Sequence, residues 1–331
     1  MRPRVVFAMT PALVRAAFTD DQFAALDAVA DVLDREPLAA FDDERAARLL
    51  PRAQVIVGHW GCPKLDADAL ALASGLELFA YAAGTVKETV AREVFERGVK
   101  VTSAAAANAV PVAEFTLAAI LFANKGVFLA REWYRDPSVR ARRPKPVGNV
   151  HKRIGVIGAS HVGRALIEIL RPFALEVVVA DPYLDGATAS ALGVARVELD
   201  ELLSTSDVVT VHAPDLPSTR HMIGHDQLAR MKDGAVLINT ARGRLVDSAA
   251  LEAELATGRI SAVLDVTDPE PLPRGSRLFE LPNAFVSPHV AGSQGSELGR
   301  LADLAIDEVA RHVRGEPPRY PVTAADLERI A

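Results

Sequence analysis

An α/β chain with a doubly wound parallel sheet, carried by two units, is the fold class predicted by three observations. First, from residue 151 onward short β-branched runs alternate with amphipathic helical stretches, at 153–157, 176–180, 207–212, 235–239, 260–265 and 283–287. Second, these runs are apolar at successive positions, not alternate ones, so both faces of the sheet must be covered by helices. Third, the first hundred residues repeat the alternation more loosely, with strand-like runs at 4–8, 54–58, 76–82 and 100–103. Between the first two of these, Phe23, Leu26, Val29 and Leu33 recur at helical spacing. A second, smaller α/β unit is therefore expected at the N-terminal end.

Length and composition bound the remaining possibilities. A chain of 331 residues is enough for two domains and a large core. Half of it is hydrophobic, 24% is charged and the formal net charge is −6, which disfavours a nucleic-acid partner because duplex binding needs a basic footprint. The one cysteine, Cys62, has no internal disulfide partner and fits a reducing, cytoplasmic location. No signal peptide and no uninterrupted apolar run of membrane-spanning length is read, so no membrane partner is expected. No metal-ligand spacing stands out. Pro111 is expected to open a long apolar helix over 111–125, with Gly126 past its end. Such a helix needs cover on all sides, from its own domain or from a second subunit, and a homodimer through it is expected. The basic, Pro-punctuated stretch 131–152 reads as a solvated arm or loop, with a subunit contact or an anionic-substrate role as the alternative.

The segment RIGVIGASHVGRALIEIL runs from a strand through GASHVG (158–163) into a helix. Backbone N–H groups at a helix N-terminus, approached through small residues, suit a pyrophosphate. Gly158 would make the tight turn and Gly163 would let the helix pack on the strand. Ser160 stands where a second glycine is usual, and its Cβ narrows the approach. Asp181 ends the next strand, where a carboxylate accepts from a ribose hydroxyl and repels a 2′-phosphate. NAD is accordingly favoured over NADP, with an ordinary strand-end turn as the alternative role of Asp181.

Three polar groups follow at later strand ends. Arg242 in NTARGR suits a bidentate grip on a carboxylate, although a lone arginine is more often a surface ion-pair partner. Glu270 in LDVTDPEP is held between two prolines, and His289 in SPHVAG titrates near neutrality, as a proton donor to a carbonyl must. Each alone has an ordinary structural reading. The set is more specific than its members.

Together with VHAPDLPSTRHMIG (211–224), INTARGRLVDSAAL (238–251), AAGTV (82–86) and NAVPVAEF (108–115), these motifs resemble the D-isomer-specific 2-hydroxyacid dehydrogenases over most of the chain. The resemblance implies a Rossmann cofactor domain, residues 105–294, inserted into a flavodoxin-like substrate domain made of residues 1–104 and 295–331. It implies that Arg242 binds the substrate carboxylate and keto oxygen, and that His289 is acid in reduction and base in oxidation. Glu270 would hydrogen-bond His289 and raise its pKa. A glutamate there argues against the related formate dehydrogenases, which carry glutamine.

Ala83, Gly84 and Thr85 would hold the substrate carboxylate through backbone N–H groups. The cofactor residues implied are Gly158, Ser160, His161, Val162, Gly163, Asp181, Ala213, Pro214, Thr219, Thr240, Ala241 and Asp265. Substrate would bind in the interdomain cleft, with closure excluding water. Trp60 would either face an apolar substrate side chain or cover the small domain's core, and Lys64, Lys87 and Arg92 would either serve a phosphorylated acid or be solvated. The expected function is NAD-dependent interconversion of a 2-oxo acid and a D-2-hydroxy acid. The alternative, drawn from corepressors that resemble this family, is an NAD(H)-sensing interaction protein with little turnover.

Overall fold

The computed structural model describes residues 2–130 and 148–329. Most of the basic stretch 131–152 lies outside the described residues. The chain divides into two compact units, Met1–Asn108 with Ser293–Ala331, and Ala109–Gly292. These divisions fall at 108/109 and 292/293, against the expected 104/105 and 294/295. Asn108 keeps to the first unit, where its Oδ1 accepts from the Ser293 N–H at 3.0 Å.

The first unit is built on strands β1 (Arg4–Ala8), β2 (Asp31–Leu38), β3 (Val55–Gly58), β4 (Leu78–Tyr81) and β5 (Lys100–Ser103), closed by β13 (Pro321–Val322). Their order is β13-β5-β4-β3-β1-β2, all pairs parallel except β13 with β5. Alternate residues feed two apolar layers. Val5, Phe7, Val55 and Val57 meet Leu301 and Ile306 of the amphipathic helix Leu298–Val313, whereas Val6, Ile56 and Phe79 meet Leu50, Leu70 and Val94. The C-terminal segment thus completes this unit's core.

Two strands of this unit escaped the sequence reading. β2, DVLDREPL, lies at the sheet edge and buries only its last two residues, so it lacks the apolar run of an inner strand. β13 has only two residues.

The second unit carries β6 (Lys152–Ile157), β7 (Leu175–Ala180), β8 (Ala195–Arg196), β9 (Val208–Val211), β10 (Val236–Asn239), β11 (Ser261–Leu264) and β12 (Ala284–Val286). Their order, β12-β11-β10-β9-β6-β7-β8, is parallel throughout and reverses direction at β6/β9, the topological switch of a doubly wound sheet. All six expected strands are present and β8 adds a short exposed edge. Val209, Val211 and Leu237 face Leu202, Leu228, Leu251 and Leu255 on one side. Ile154, Val156 and Ile238 face Ile120, Leu166 and Leu170 on the other.

The long apolar helix runs Ala105–Asn124, not from Pro111, which sits inside it. Ser103 Oγ accepts from the Ala105 N–H and so satisfies an N-terminal donor one turn and a half earlier than expected. Its 20 residues make it long and apolar enough, by length and composition only, to cross a membrane. The sequence reading missed this because Asn108 and Glu114 interrupt the run. Within the protein, Val112, Ala113, Thr116, Ala119, Ile120 and Asn124 are buried, as in a core helix.

Candidate active site

The glycine turn has the geometry of a phosphate cradle. Gly158 adopts φ +95°, and a Cβ there would come within 2.9 Å of the His212 and Ala213 backbone. A Cβ on Gly163 would stand 2.1 Å from the Gly158 carbonyl, so only glycine lets the helix His161–Leu170 start this close to β6. Ser160 takes the N-cap position with its Oγ towards the Gly163 N–H at 3.4 Å. Its hydroxyl is therefore turned to the helix. Asp181, at the end of β7, accepts from the Ala159 N–H at 2.7 Å and the Tyr183 N–H at 2.8 Å. These bonds fix the carboxylate beside the turn and leave lone pairs for ribose hydroxyls. Such a cradle, helix N-terminus and strand-end carboxylate fit a dinucleotide.

The other cofactor candidates divide by what they touch. His161 and Val162 open the helix after Ser160. Ala213 is buried next to Gly158, and Thr219 closes the following turn by donating to the Pro214 carbonyl at 2.6 Å and accepting from the Leu216 N–H at 2.9 Å. Thr240 is buried at the end of β10, followed by Ala241.

At the ends of β10, β11 and β12 the second unit assembles its reactive groups. His289 Nδ1 lies 2.5 Å from Glu270 Oε1. A carboxylate only accepts, so the hydrogen of this contact sits on Nδ1. His289 has φ +55°, a backbone state unusual for a side chain bearing a Cβ. Asp265 holds it there. Its carbonyl accepts from the His289 N–H at 2.9 Å, while its buried carboxylate accepts from Ser287 Oγ at 2.6 Å, Val290 N–H at 2.9 Å and Ala291 N–H at 2.8 Å. The Asp265 carboxylate is thereby tied to the histidine loop.

Arg242 is braced from the same strand end. Asn239 Nδ2 donates to the Arg242 carbonyl at 2.9 Å and Asn239 Oδ1 accepts from the Ala241 N–H at 3.1 Å. A Cβ on Gly243 would fall 1.9 Å from the Thr267 carbonyl, so this glycine lets the arginine turn abut the Glu270 loop. Burial lowers the Arg242 pKa; the carboxylates of Asp215 and Glu270 oppose that, and Arg244 adds to it. The guanidinium thus sits in the field of the histidine's own partner. A cavity of about 500 Å³ is lined by Asp265, Glu270 and His289 with Pro271, Leu272, Phe279 and Val286.

In the first unit, Ser103 Oγ donates to the Gly84 carbonyl at 2.5 Å, with the Ala83 carbonyl 3.3 Å away. Among the described residues neither the Gly84 nor the Thr85 N–H donates to a protein group. Trp60 packs against both apolar layers, which supports the core-covering alternative. His59 is fully buried, accepts from the Trp60 N–H through Nδ1 and is pushed down to about 4 by burial. Burial likewise raises the Cys62 thiol. No metal-binding cluster occurs among the described residues.

Sequence reading missed Asp215, Asn239 and Ser287, which hold Arg244, the arginine turn and Asp265. All three lie within quoted motifs, and for Asn239 and Ser287 the spacing next to Arg242 and His289 was the available signal.

Comparison with known proteins agrees with this fold. Residues 117–291 match the model of the D-isomer specific 2-hydroxyacid dehydrogenase NAD-binding domain. The chain is 32% identical to a glyoxylate reductase of Korarchaeum cryptofilum, over 77% of this chain and 78% of that protein. It is 29% identical to a D-3-phosphoglycerate dehydrogenase of Archaeoglobus fulgidus over 89% of this chain and 56% of that protein. The chain spans about half the length of the phosphoglycerate dehydrogenases it matches. Among solved structures, a phosphoglycerate oxidoreductase from Rhizobium etli superposes with TM-score 0.80 at 27% identity, covering 98% of each chain.

Proposed function

The chain belongs to the D-isomer specific 2-hydroxyacid dehydrogenase family, and from that membership we propose that it is an NAD-dependent oxidoreductase interconverting a 2-oxo acid and a D-2-hydroxy acid. The observation that carries this reading is the 2.5 Å contact of Glu270 Oε1 with His289 Nδ1, at the strand ends of a dinucleotide-type unit with Arg242 in the same field. A bound nicotinamide supplies or receives the hydride. The chain's own residues do the rest. Arg242 pairs with the substrate carboxylate and polarises its keto oxygen, which withdraws charge as the alkoxide develops. His289 gives its Nε2 proton to that oxygen in reduction and takes it back in oxidation, while Glu270 stabilises the imidazolium through Nδ1. Asp265 keeps the ring in place. Gly84 and Thr85 offer N–H groups to the substrate carboxylate.

Gly158, Gly163 and the N-terminus of the His161–Leu170 helix hold the pyrophosphate, and Asp181 takes the ribose hydroxyls and selects NAD over NADP. The first unit is the substrate domain and the second the cofactor domain. A cytoplasmic homodimer, paired through the long helix with its half-exposed Phe122, completes the proposal. The interaction-protein alternative is not favoured by these relatives. The test is NADH oxidation with a panel of 2-oxo acids: glyoxylate, hydroxypyruvate, phosphohydroxypyruvate, pyruvate and branched or aromatic analogues. Turnover on at least one, yielding the D-enantiomer where the product is chiral, is expected; no turnover with NADH or NADPH on any overturns the reading.

A further inference from the structure

Thr116 is fully buried on the long helix, in an otherwise apolar layer above the second unit's sheet. Its hydroxyl donates to the Val112 carbonyl at 2.7 Å, one turn back in the same helix. A hydroxyl has a single hydrogen, so Thr116 meets Thr240 Oγ1, 3.0 Å away, only as an acceptor. Thr240 must then be the donor, and its hydrogen is spent as well. Lone pairs alone remain on the Thr240 oxygen. This directed chain, Thr240 to Thr116 to Val112, ends at the carboxyl edge of β10, two residues before Arg242.

The position of Thr240 in the sheet makes its polarity consequential. Val211 pairs with Asn239 across β9 and β10, and His212 and Thr240 are the residues that follow at these two strand ends. The His212 backbone in turn borders Gly158 in the cradle. Thr240 therefore lies in the row of strand ends where a ligand of such a sheet binds.

We propose that Thr116 is a positioning residue for the nicotinamide end of the cofactor: through Thr240 it presents a hydroxyl that accepts and never donates, matched to the N–H₂ of a carboxamide. This rests on the cofactor reading above. It explains why a polar side chain with no outlet to solvent occupies an apolar helix face, and it makes the site discriminate between ligands by hydrogen-bond donor.

Binding is measured by fluorescence and calorimetric titration of three ligands: NADH, ADP-ribose, which lacks the nicotinamide, and reduced 3-acetylpyridine adenine dinucleotide, whose methyl ketone lacks the amide donor. The unaltered protein should prefer NADH to the acetylpyridine analogue by roughly 2–10-fold, the value of one neutral hydrogen bond. Thr116→Val keeps the volume but removes the acceptor, freeing the Thr240 hydrogen, and should bring that ratio close to one with ADP-ribose affinity unchanged. Thr240→Val should do the same from the other end, and Thr116→Ser should restore the preference.

A ratio unmoved in Thr116→Val or in Thr240→Val, or an equal loss for NADH and ADP-ribose, overturns the proposal and leaves the cofactor reading standing. Failure of the unaltered protein to bind either NADH or ADP-ribose overturns both.

Discussion

Replacing Asp265 by asparagine should cost the protein its histidine loop. The buried carboxylate accepts three hydrogen bonds, from Ser287 Oγ and the Val290 N–H on Oδ1 and from the Ala291 N–H on Oδ2. An amide offers one accepting oxygen. Placed at Oδ1, it keeps Ser287 and Val290 but points an N–H₂ at the Ala291 N–H. Placed at Oδ2, it turns the same conflict on Val290. One backbone donor is lost in either orientation, at about 1–3 kcal/mol, and the two surviving bonds fall from charge-assisted to neutral strength, about 1 kcal/mol each. The sum is about 3–5 kcal/mol. In a unit of this size that lowers Tm by roughly 6–20 °C. His289, held at φ +55° by this loop, should also relax, and a displacement of about 1 Å costs on the order of 10²-fold in turnover. Thermal unfolding and steady-state kinetics with NADH read the two effects. An Asp265→Asn protein with unchanged Tm and kcat would show that the carboxylate does not position the histidine.

Acid should destabilise both units before their carboxylates titrate. Burial pushes His212 down to about 3 and His59 down to about 4, while an unfolded chain takes up these protons near 6.5. Stability is full above pH 6.5 and falls by about 1.4 kcal/mol per histidine for each pH unit below it, until the folded values are reached. A Tm that stays flat from pH 7 to 5, or a slope that His212→Gln leaves unaltered, would contradict this. Asp181→Ala removes both the ribose acceptor and the bond to Ala159, so NADH affinity should drop about 10-fold or more while the preference for NADH over NADPH narrows. Titrations with the two nucleotides check it, and an unchanged ratio would remove Asp181 from cofactor choice.

What could be read from the residues alone was mostly what is local. GASHVG, Asp181 and the inner strands of the second unit show themselves because a buried parallel strand is apolar at every position, and because a phosphate cradle needs its glycines in one short segment. Arg242, Glu270 and His289 were legible as strand-end residues in family order. The edge strand β2 was not, since half-exposed residues carry no run. Pro111 misled for a related reason: proline suits a helix start, but the Ser103 cap lies eight residues earlier. Asp265 and Thr116 illustrate a deeper limit. Their partners, Ser287, Val290, Ala291 and Thr240, lie 22 to 26 and 124 residues away. Only the fold pairs them.

Single-turnover reduction of an accepted 2-oxo acid by the NADH-loaded protein, compared with its His289→Gln variant at saturating substrate, reaches the chemistry most directly. If the imidazole donates the proton, the variant binds NADH as before and its rate falls by roughly 10²–10⁴. Equal rates in the two proteins would mean that the proton comes from elsewhere, and that the contact between His289 and Glu270 has no part in the reaction.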